Sequence, residues 1–193
     1  MKTGIFCIET EWEMARKSMR LPINSQYLID FVQKWNNYKC TYKQVATRQE
    51  LEYYIHRLSL EEYKNDYKII YFSCHGGKEG IVLEGEPKNN KFMTLDELAQ
   101  IVGDKAFNNR WIHFSSCQTL KGTFATIQDF LDTTGALAIS GYTKEVDGML
   151  SAIHDMALFE QIIKHPNHPE TVEKRLSTLY DGAVKKLGFK IVY

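Results

Sequence analysis

The chain has 193 residues, 44% of them hydrophobic, and its 24 basic and 24 acidic side chains give a formal net charge of zero. The length fits one domain, which we place at 1–193. The neutral charge argues against nucleic acid and anionic membrane surfaces as direct partners, and no apolar run reaches the roughly 18 residues of a transmembrane helix. The four cysteines lack a CxxC pair, and the first apolar stretch is too short for a secretory signal. We therefore expect free thiols and a cytoplasmic protein.

Apolar runs alternate with helical patterns along the whole chain. They predict strands at 4–9, 38–45, 67–74, 80–83, 110–116, 135–141 and 189–193, and helices at 25–36, 123–132 and 148–164, with others beginning near 47 and 94 and a last one running to about 187. Several of these strands are apolar on both faces, which is typical of parallel strands covered by helices on both sides. We therefore predict an α/β fold, a three-layer α/β/α sandwich with a mostly parallel sheet.

The first predicted helix carries large apolar side chains at helical spacing. They are Tyr27, Leu28, Phe31, Val32 and Trp35. Aromatic residues with this spacing more often belong to a core or a domain interface than to a ligand site. We therefore expect this face of the helix to pack against the rest of the protein.

A histidine and a cysteine each follow a predicted buried strand. His75 comes directly after the strand at 67–74, and Cys117 follows the strand at 110–116. Because the carboxyl ends of parallel strands meet at one edge of a sheet, the two side chains can share one cleft. A thiol beside an imidazole is the arrangement that nucleophilic acyl transfer requires. The backbone N–H groups of Gly76 and Cys117 are the predicted oxyanion donors, and a helix N-terminus after Cys117 would lower the pKa of the thiol.

The two motifs resemble those of the caspase-like cysteine peptidases, a clan that includes caspases, metacaspases and gingipains. In that clan an apolar strand ends in His-Gly and the next core strand ends in the catalytic cysteine. The segments that carry the resemblance are Ile69-Ile70-Tyr71-Phe72-Ser73-Cys74-His75-Gly76-Gly77 and Ile112-His113-Phe114-Ser115-Ser116-Cys117. The Cys-His-Gly form is closest to the bacterial CHAT-type proteases. The resemblance implies a caspase-like fold and a peptidase with His75 and Cys117 as its catalytic dyad, cleaving protein or peptide substrates through a thioester without a cofactor.

The resemblance also implies where substrate binds. The segment after the strand at 135–141 should form part of the pocket, with Tyr142, Lys144, Glu145 and Asp147 as its candidate residues. The caspase signature Gln-Ala-Cys-X-Gly is absent, so an aspartate-specific pocket is not implied. Kinship with CHAT-type proteases implies an activating sensor or regulatory protein in a prokaryotic defence or regulatory system.

Other functions for the same residues stay open at this stage. One is a caspase-like interaction module in which the dyad is catalytically silent. A zinc site at Cys74, His75 and Cys117 is weak because no pair has structural zinc spacing, and we expect no metal. The segment after His75 lacks the GxxxxGK[ST] phosphate loop, and the chain lacks the Gly-x-Ser-x-Gly elbow of serine hydrolases. Cys74 is expected to be a core thiol and His113 a packed residue within a strand.

Overall fold

The computed structural model describes residues 4–10 and 25–193. The predicted domain also includes 1–3 and 11–24, which lie outside the described residues. In chain order the elements are β1 Gly4–Thr10, α1 Gln26–Asn36, β2 Cys40–Val45, α2 Arg48–Leu58, α3 Glu61–Lys64, β3 Tyr67–Ser73, β4 Gly76–Gly77, β5 Gly80–Val82, β6 Phe92–Thr94, α4 Leu95–Val102, β7 Trp111–Ser115, α5 Phe124–Thr134, β8 Ala138–Tyr142, α6 Gly148–Lys164, α7 Pro169–Leu179, α8 Asp181–Leu187 and β9 Phe189–Val192.

Six of these strands form the main sheet, in the order β2-β1-β3-β7-β8-β9. All neighbouring pairs are parallel except β8 and β9, which are antiparallel. Strands β4, β5 and β6 form a separate antiparallel sheet. The α/β fold with a mostly parallel sheet is therefore confirmed. The strand predicted at 80–83 is β5 of the small sheet, whereas β4 and β6 are strands that the sequence patterns did not predict.

Alternating side chains of the strands enter two hydrophobic cores, one on each face of the main sheet. Phe72 and Phe114 pack on one face with α2, α4 and α5. Tyr71 and Trp111 pack on the other face with α1, α6 and α7. Because both faces are covered, the central strands are buried and the polar groups at their carboxyl ends are concentrated at one edge of the sheet.

Side-chain caps fix the beginnings of several helices. Thr47 and Glu50 form a reciprocal capping box at α2, and Thr94 and Glu97 form another at α4. Asp147 caps α6 by accepting a hydrogen bond from the N–H of Leu150. The helices therefore begin where the sequence pattern places them, close to 47, 94 and 148.

Two expectations about the helices are wrong. The last predicted helix is two helices, α7 and α8, interrupted at Tyr180. Most of the predicted face of α1 is not in the core: Tyr27 is 78% exposed and Trp35 is 75% exposed, and of its five residues only Val32 is buried, together with Ile29. The reason is that α1 packs on the sheet along a face rotated from the aromatic one. Within the described residues, no helix is both long and apolar enough to cross a membrane.

Candidate active site

The register of β3 and β7 places His75 and Cys117 at the same edge of the sheet. Ser73 is paired with Ser115 in the parallel ladder, and the N–H of Cys74 donates to the carbonyl of Ser115 at 3.4 Å. His75 and Cys117 are each two residues beyond this pair of serines, in equivalent positions on neighbouring strands. The side chain of His75 is exposed and that of Cys117 is partly buried.

The loops after the two strands are in direct contact at Gly76. A Cβ added to Gly76 would lie 2.6 Å from the carbonyl oxygen of Cys117 and 2.5 Å from Thr119 Oγ1. Real Cβ atoms essentially never approach other atoms this closely, so only glycine fits here. The backbone beside His75 therefore lies against the backbone of Cys117.

The turn that contains Cys117 is held by backbone hydrogen bonds to the segment after β8. Gln118 adopts a left-handed conformation, with φ of 58°, which is uncommon for a residue other than glycine. Its N–H donates to the carbonyl of Lys144 at 3.0 Å, and the N–H of Leu120 donates to the carbonyl of Tyr142 at 3.2 Å. The surrounding structure thus fixes an otherwise unfavourable backbone directly after the cysteine.

The sulfur of Cys117 accepts a hydrogen bond from the backbone N–H of Val146, at 3.4 Å. The helix predicted at 123–132 is observed as α5, which begins at Phe124, seven residues beyond Cys117. The N–H group at the sulfur comes instead from the segment that leads into α6, one residue before the Asp147 cap.

The four candidate pocket residues have different environments. Tyr142 is fully buried and its hydroxyl donates to Asp155, so the expectation that it lines a substrate pocket is wrong. The ammonium of Lys144 donates to the carbonyl of Lys185 at 2.7 Å, and Asp147 caps α6. Glu145 is exposed and makes no hydrogen bond with another described residue. It is the candidate whose charged group has no such partner.

A buried polar network that the sequence patterns did not reveal lies beneath the site. Asp155 of α6 is fully buried and accepts hydrogen bonds from donors on three strands. They are Tyr71 on β3 at 2.9 Å, His113 on β7 at 2.7 Å, Ser115 on β7 at 2.6 Å and Tyr142 on β8 at 2.5 Å. Burial alone would raise the pKa of Asp155, but the neighbouring His113 and these donors hold it below its usual value. His113 is thus a packed and hydrogen-bonded residue, as predicted.

Two neighbouring groups remain neutral because of burial. Burial raises the pKa of the Cys74 thiol to about 12, which agrees with its predicted role as a core thiol. Burial lowers the pKa of His154 to about 4, against the effect of the Asp155 carboxylate. In residues 4–10 and 25–193, no group of three or more His, Cys, Asp or Glu side chains could hold a metal ion.

A second polar cluster lies at the ends of β1 and β3. The buried carboxylate of Glu9 accepts hydrogen bonds from the N–H of Ser25 and the hydroxyl of Tyr42. The hydroxyl of Ser25 donates to the hydroxyl of Ser73 at 2.5 Å. Ser25 precedes α1 but does not cap it through its side chain. The strand end that leads to His75 is therefore linked by hydrogen bonds to β1 and to the start of α1.

Comparison with known proteins agrees with this architecture. The model of a family described as a family of unknown function (DUF6642) matches residues 2–193. A search of curated proteins finds no match. Among solved structures, caspase-1 from Spodoptera frugiperda is similar, with a TM-score of 0.51, 11% identity, and coverage of 83% of this chain and 68% of that one. The structure of pro-sf-caspase-1 is similar too, with a TM-score of 0.50, 12% identity, and coverage of 83% and 70%. The fold is therefore caspase-like.

Proposed function

Because the chain belongs to the DUF6642 family and has a caspase-like fold, we propose that it is a cysteine endopeptidase with His75 and Cys117 as its dyad. One observation carries the proposal: the ladder register places these two residues at equivalent positions beyond neighbouring strands, and their loops touch at Gly76. A nucleophile and a proton carrier at one strand edge are the minimum that acyl transfer from a peptide needs.

The proposed reaction proceeds in two steps. The Cys117 thiolate attacks the scissile carbonyl carbon, and backbone N–H groups of Gly76 and Cys117 stabilise the resulting oxyanion. His75 donates a proton to the leaving amine, which leaves the acyl group on sulfur as a thioester. His75 then accepts a proton from water, which attacks the thioester and releases the acid and the Cys117 thiolate, so that the protonated His75 is restored. No cofactor takes part in either step.

The hydrogen bond from Val146 supports the first step. The N–H of Val146 is hydrogen-bonded to the sulfur of Cys117 at 3.4 Å, so it fixes the position of the atom that attacks. The contact also makes the segment 143–147 part of the site, since any movement of that segment changes the surroundings of the sulfur. In our proposal, this segment contacts the substrate residue that precedes the scissile bond and selects for its side chain.

Glu145 is the residue of this segment that we propose for substrate selection. Its neighbour Val146 contacts the sulfur, its carboxylate is exposed, and Lys144 and Asp147 are engaged elsewhere. A carboxylate beside the nucleophile favours cleavage after lysine or arginine. We expect Glu145→Gln to reduce kcat/KM for substrates with a basic residue at that position at least tenfold. Substrates with a neutral residue should change less than twofold, and an equal loss for both classes would contradict this assignment.

Regulation by a partner belongs to the same proposal. The Cys-His-Gly form of the first motif supports a CHAT-type peptidase controlled by a sensor protein in a prokaryotic defence or regulatory system. The contact between Val146 and Cys117 offers a simple route for such control, because a partner that displaced the segment 143–147 would alter both the surroundings of the sulfur and the pocket.

An interaction module with a silent dyad is the second candidate function, and the exposed face of α1 favours it. Phe31 and Trp35 stack with their ring centroids 5.8 Å apart while remaining 49% and 75% exposed. They line a groove of about 440 Å³ between α1 and α6, together with Ile153 and Ile163. Exposed apolar surfaces of this kind are typical of binding faces.

Hydrolysis of a peptide library by purified protein separates the two candidates. We expect cleavage by the wild-type chain and by Cys40→Ala, which removes a thiol on β2 at the far edge of the sheet. Cys117→Ala and His75→Ala should each lose at least a thousandfold in kcat/KM. Wild-type cleavage rates in Cys117→Ala would refute the peptidase.

A further inference from the structure

Asp155 makes contacts that reach every chain segment of the candidate site. The carboxylate binds Tyr71 through Oδ2, His113 through Oδ1, Ser115 through Oδ2 and Tyr142 through Oδ1. All four partners are hydrogen-bond donors from the central part of the sheet, on β3, β7 and β8. One side chain on α6 is therefore bonded to three neighbouring strands.

Each of these strands leads directly to a part of the site. Strand β3 leads to His75, β7 leads to Cys117, and β8 leads to the segment 143–147. Helix α6, which carries Asp155, begins directly after that segment, two residues beyond Val146. The carboxylate thus connects the base, the nucleophile and the donor at the sulfur through rigid elements.

Asp155 is linked to the surroundings of Cys117 along two paths, one through Ser115 and one through α6. Ser115, whose hydroxyl donates to Asp155 at 2.6 Å, is two residues before Cys117. On the other side, Asp155 lies about 12 Å along α6 from Asp147, at about 1.5 Å per residue. The relative position of Cys117 Sγ and the Val146 N–H therefore depends on how α6 is held against the end of β7. Among the hydrogen bonds of the described residues, those of Asp155 join α6 to the end of β7.

The chemistry of the network suits such a role. A fully buried carboxylate is costly unless donors satisfy it, and here four donors do so, one of them the imidazole of His113. Charge-assisted hydrogen bonds to fixed donors are short and directional, so they restrict the sliding of α6 along the sheet. An apolar contact in the same place would hold the helix against the sheet without fixing its register.

We propose that Asp155 is a positioning residue that sets the geometry of Cys117, acting through Ser115 and through α6. The proposal rests on the proposed function only in naming the reaction, because the reactivity of Cys117 can be measured without any peptide. A misplacement of about 1 Å in a catalytic site costs up to about a hundredfold in rate. We therefore expect Asp155→Asn to slow alkylation of Cys117 by iodoacetamide at least tenfold, and to lower kcat for a peptide while KM changes less than twofold.

The experiment compares Asp155→Asn with Ser115→Ala and with a control on the same helix. Gln161→Leu is that control, because Gln161 is a buried polar residue of α6 that binds Arg175 and no strand. For each variant, the alkylation rate of Cys117 is measured by mass spectrometry across a range of pH, alongside urea unfolding. We expect Gln161→Leu to lose stability but to retain the wild-type alkylation rate, whereas Asp155→Asn and Ser115→Ala lose reactivity in the folded state.

Alkylation within twofold of wild type in folded Asp155→Asn would overturn the proposal. Should Asp155→Asn fail to fold, Ser115→Ala decides, since it removes only one hydroxyl from the network. A slow alkylation in Gln161→Leu equal to that of Ser115→Ala would also overturn it, because the effect would then be one of general stability. If the wild-type chain cleaves no peptide, the peptidase proposal fails while the alkylation rates still decide the role of Asp155.

Discussion

Replacement of Gly76 by alanine tests whether the loops of the site are in the contact that the structure shows. The added Cβ would lie 2.6 Å from the carbonyl oxygen of Cys117, whereas ordinary contact begins at 3.4 Å. The backbone at Cys117 would therefore have to retreat by about 0.8 Å, and Thr119 Oγ1, at 2.5 Å, would have to retreat slightly more. Thr119 cannot turn aside at no cost, because its hydroxyl binds Ser116 and the carbonyl of Gly80.

The expected cost follows from this displacement. Overpacking of this kind destabilises a protein by about 1–3 kcal/mol. A shift approaching 1 Å between His75 and Cys117 would reduce kcat/KM by up to about a hundredfold. Gly182→Ala is the matched control, because a Cβ there meets nothing within 4 Å, and alanine in a helix is favoured by about 1 kcal/mol.

Urea unfolding and peptide hydrolysis of the two variants measure both quantities. We expect Gly76→Ala to unfold at lower urea and to lose most of its activity, whereas Gly182→Ala keeps its activity and is at least as stable as wild type. Equal stability and equal activity of the two variants would refute the close approach of the Gly76 and Cys117 loops.

Three further predictions concern stability and are checked by urea unfolding. Thr47→Ala, which removes the capping box of α2, should lower the free energy of unfolding by about 1 kcal/mol. An unchanged free energy of unfolding would contradict the capping role. Arg110→Leu should lower the free energy of unfolding by about 3 kcal/mol, because the buried guanidinium donates to three carbonyls that would lose their partner, those of Leu58, Tyr63 and Ala106. An unchanged free energy of unfolding would mean that water replaces the guanidinium. Since the pKa of His154 is lowered to about 4 from 6.5, the unfolded chain binds the proton more tightly. Stability is therefore complete above about pH 6.5 and falls by on the order of 3 kcal/mol as the pH drops to about 4, and His154→Asn should remove most of that dependence.

The ends of the central strands could be predicted because their sequence pattern is local. The apolar runs before His75 and Cys117 are each longer than the apolar runs of surface segments, and both end at polar residues. Observed strands β3 and β7 end at Ser73 and Ser115, within a residue of the predicted ends. The position of His75 and Cys117 beyond neighbouring strand ends thus follows from periodicity and from the geometry of a parallel sheet.

The direction of β9 and the exposed face of α1 could not be predicted in the same way. A short apolar run such as Phe189–Val192 has the same pattern in either direction, so its antiparallel pairing with β8 is decided by the preceding helices. Spacing alone shows that Tyr27 and Trp35 share a face of α1, but it does not show which face the sheet covers. That choice depends on where the chain enters the helix.

Asp155 escaped prediction because three of its four hydrogen-bond partners are 40 or more residues away in sequence. A signal was nevertheless present in the helical pattern. Asp155 precedes Leu158 by three residues and Ile162 by seven, so it shares the face of α6 that enters the core. An acidic residue on the apolar face of a helix indicates a buried polar network, since an unpaired carboxylate would not be tolerated there.

The most direct test of the peptidase is labelling of the intact protein by peptidyl acyloxymethyl ketones with basic, acidic or neutral residues next to the reactive group. Mass spectrometry locates the adduct in the wild-type chain, in Cys117→Ala and in His75→Ala. The account predicts one adduct, on Cys117, that requires His75 and forms fastest with the basic probes. Labelling of Cys117 at the same rate in His75→Ala, or adducts on other cysteines only, would contradict the catalytic dyad.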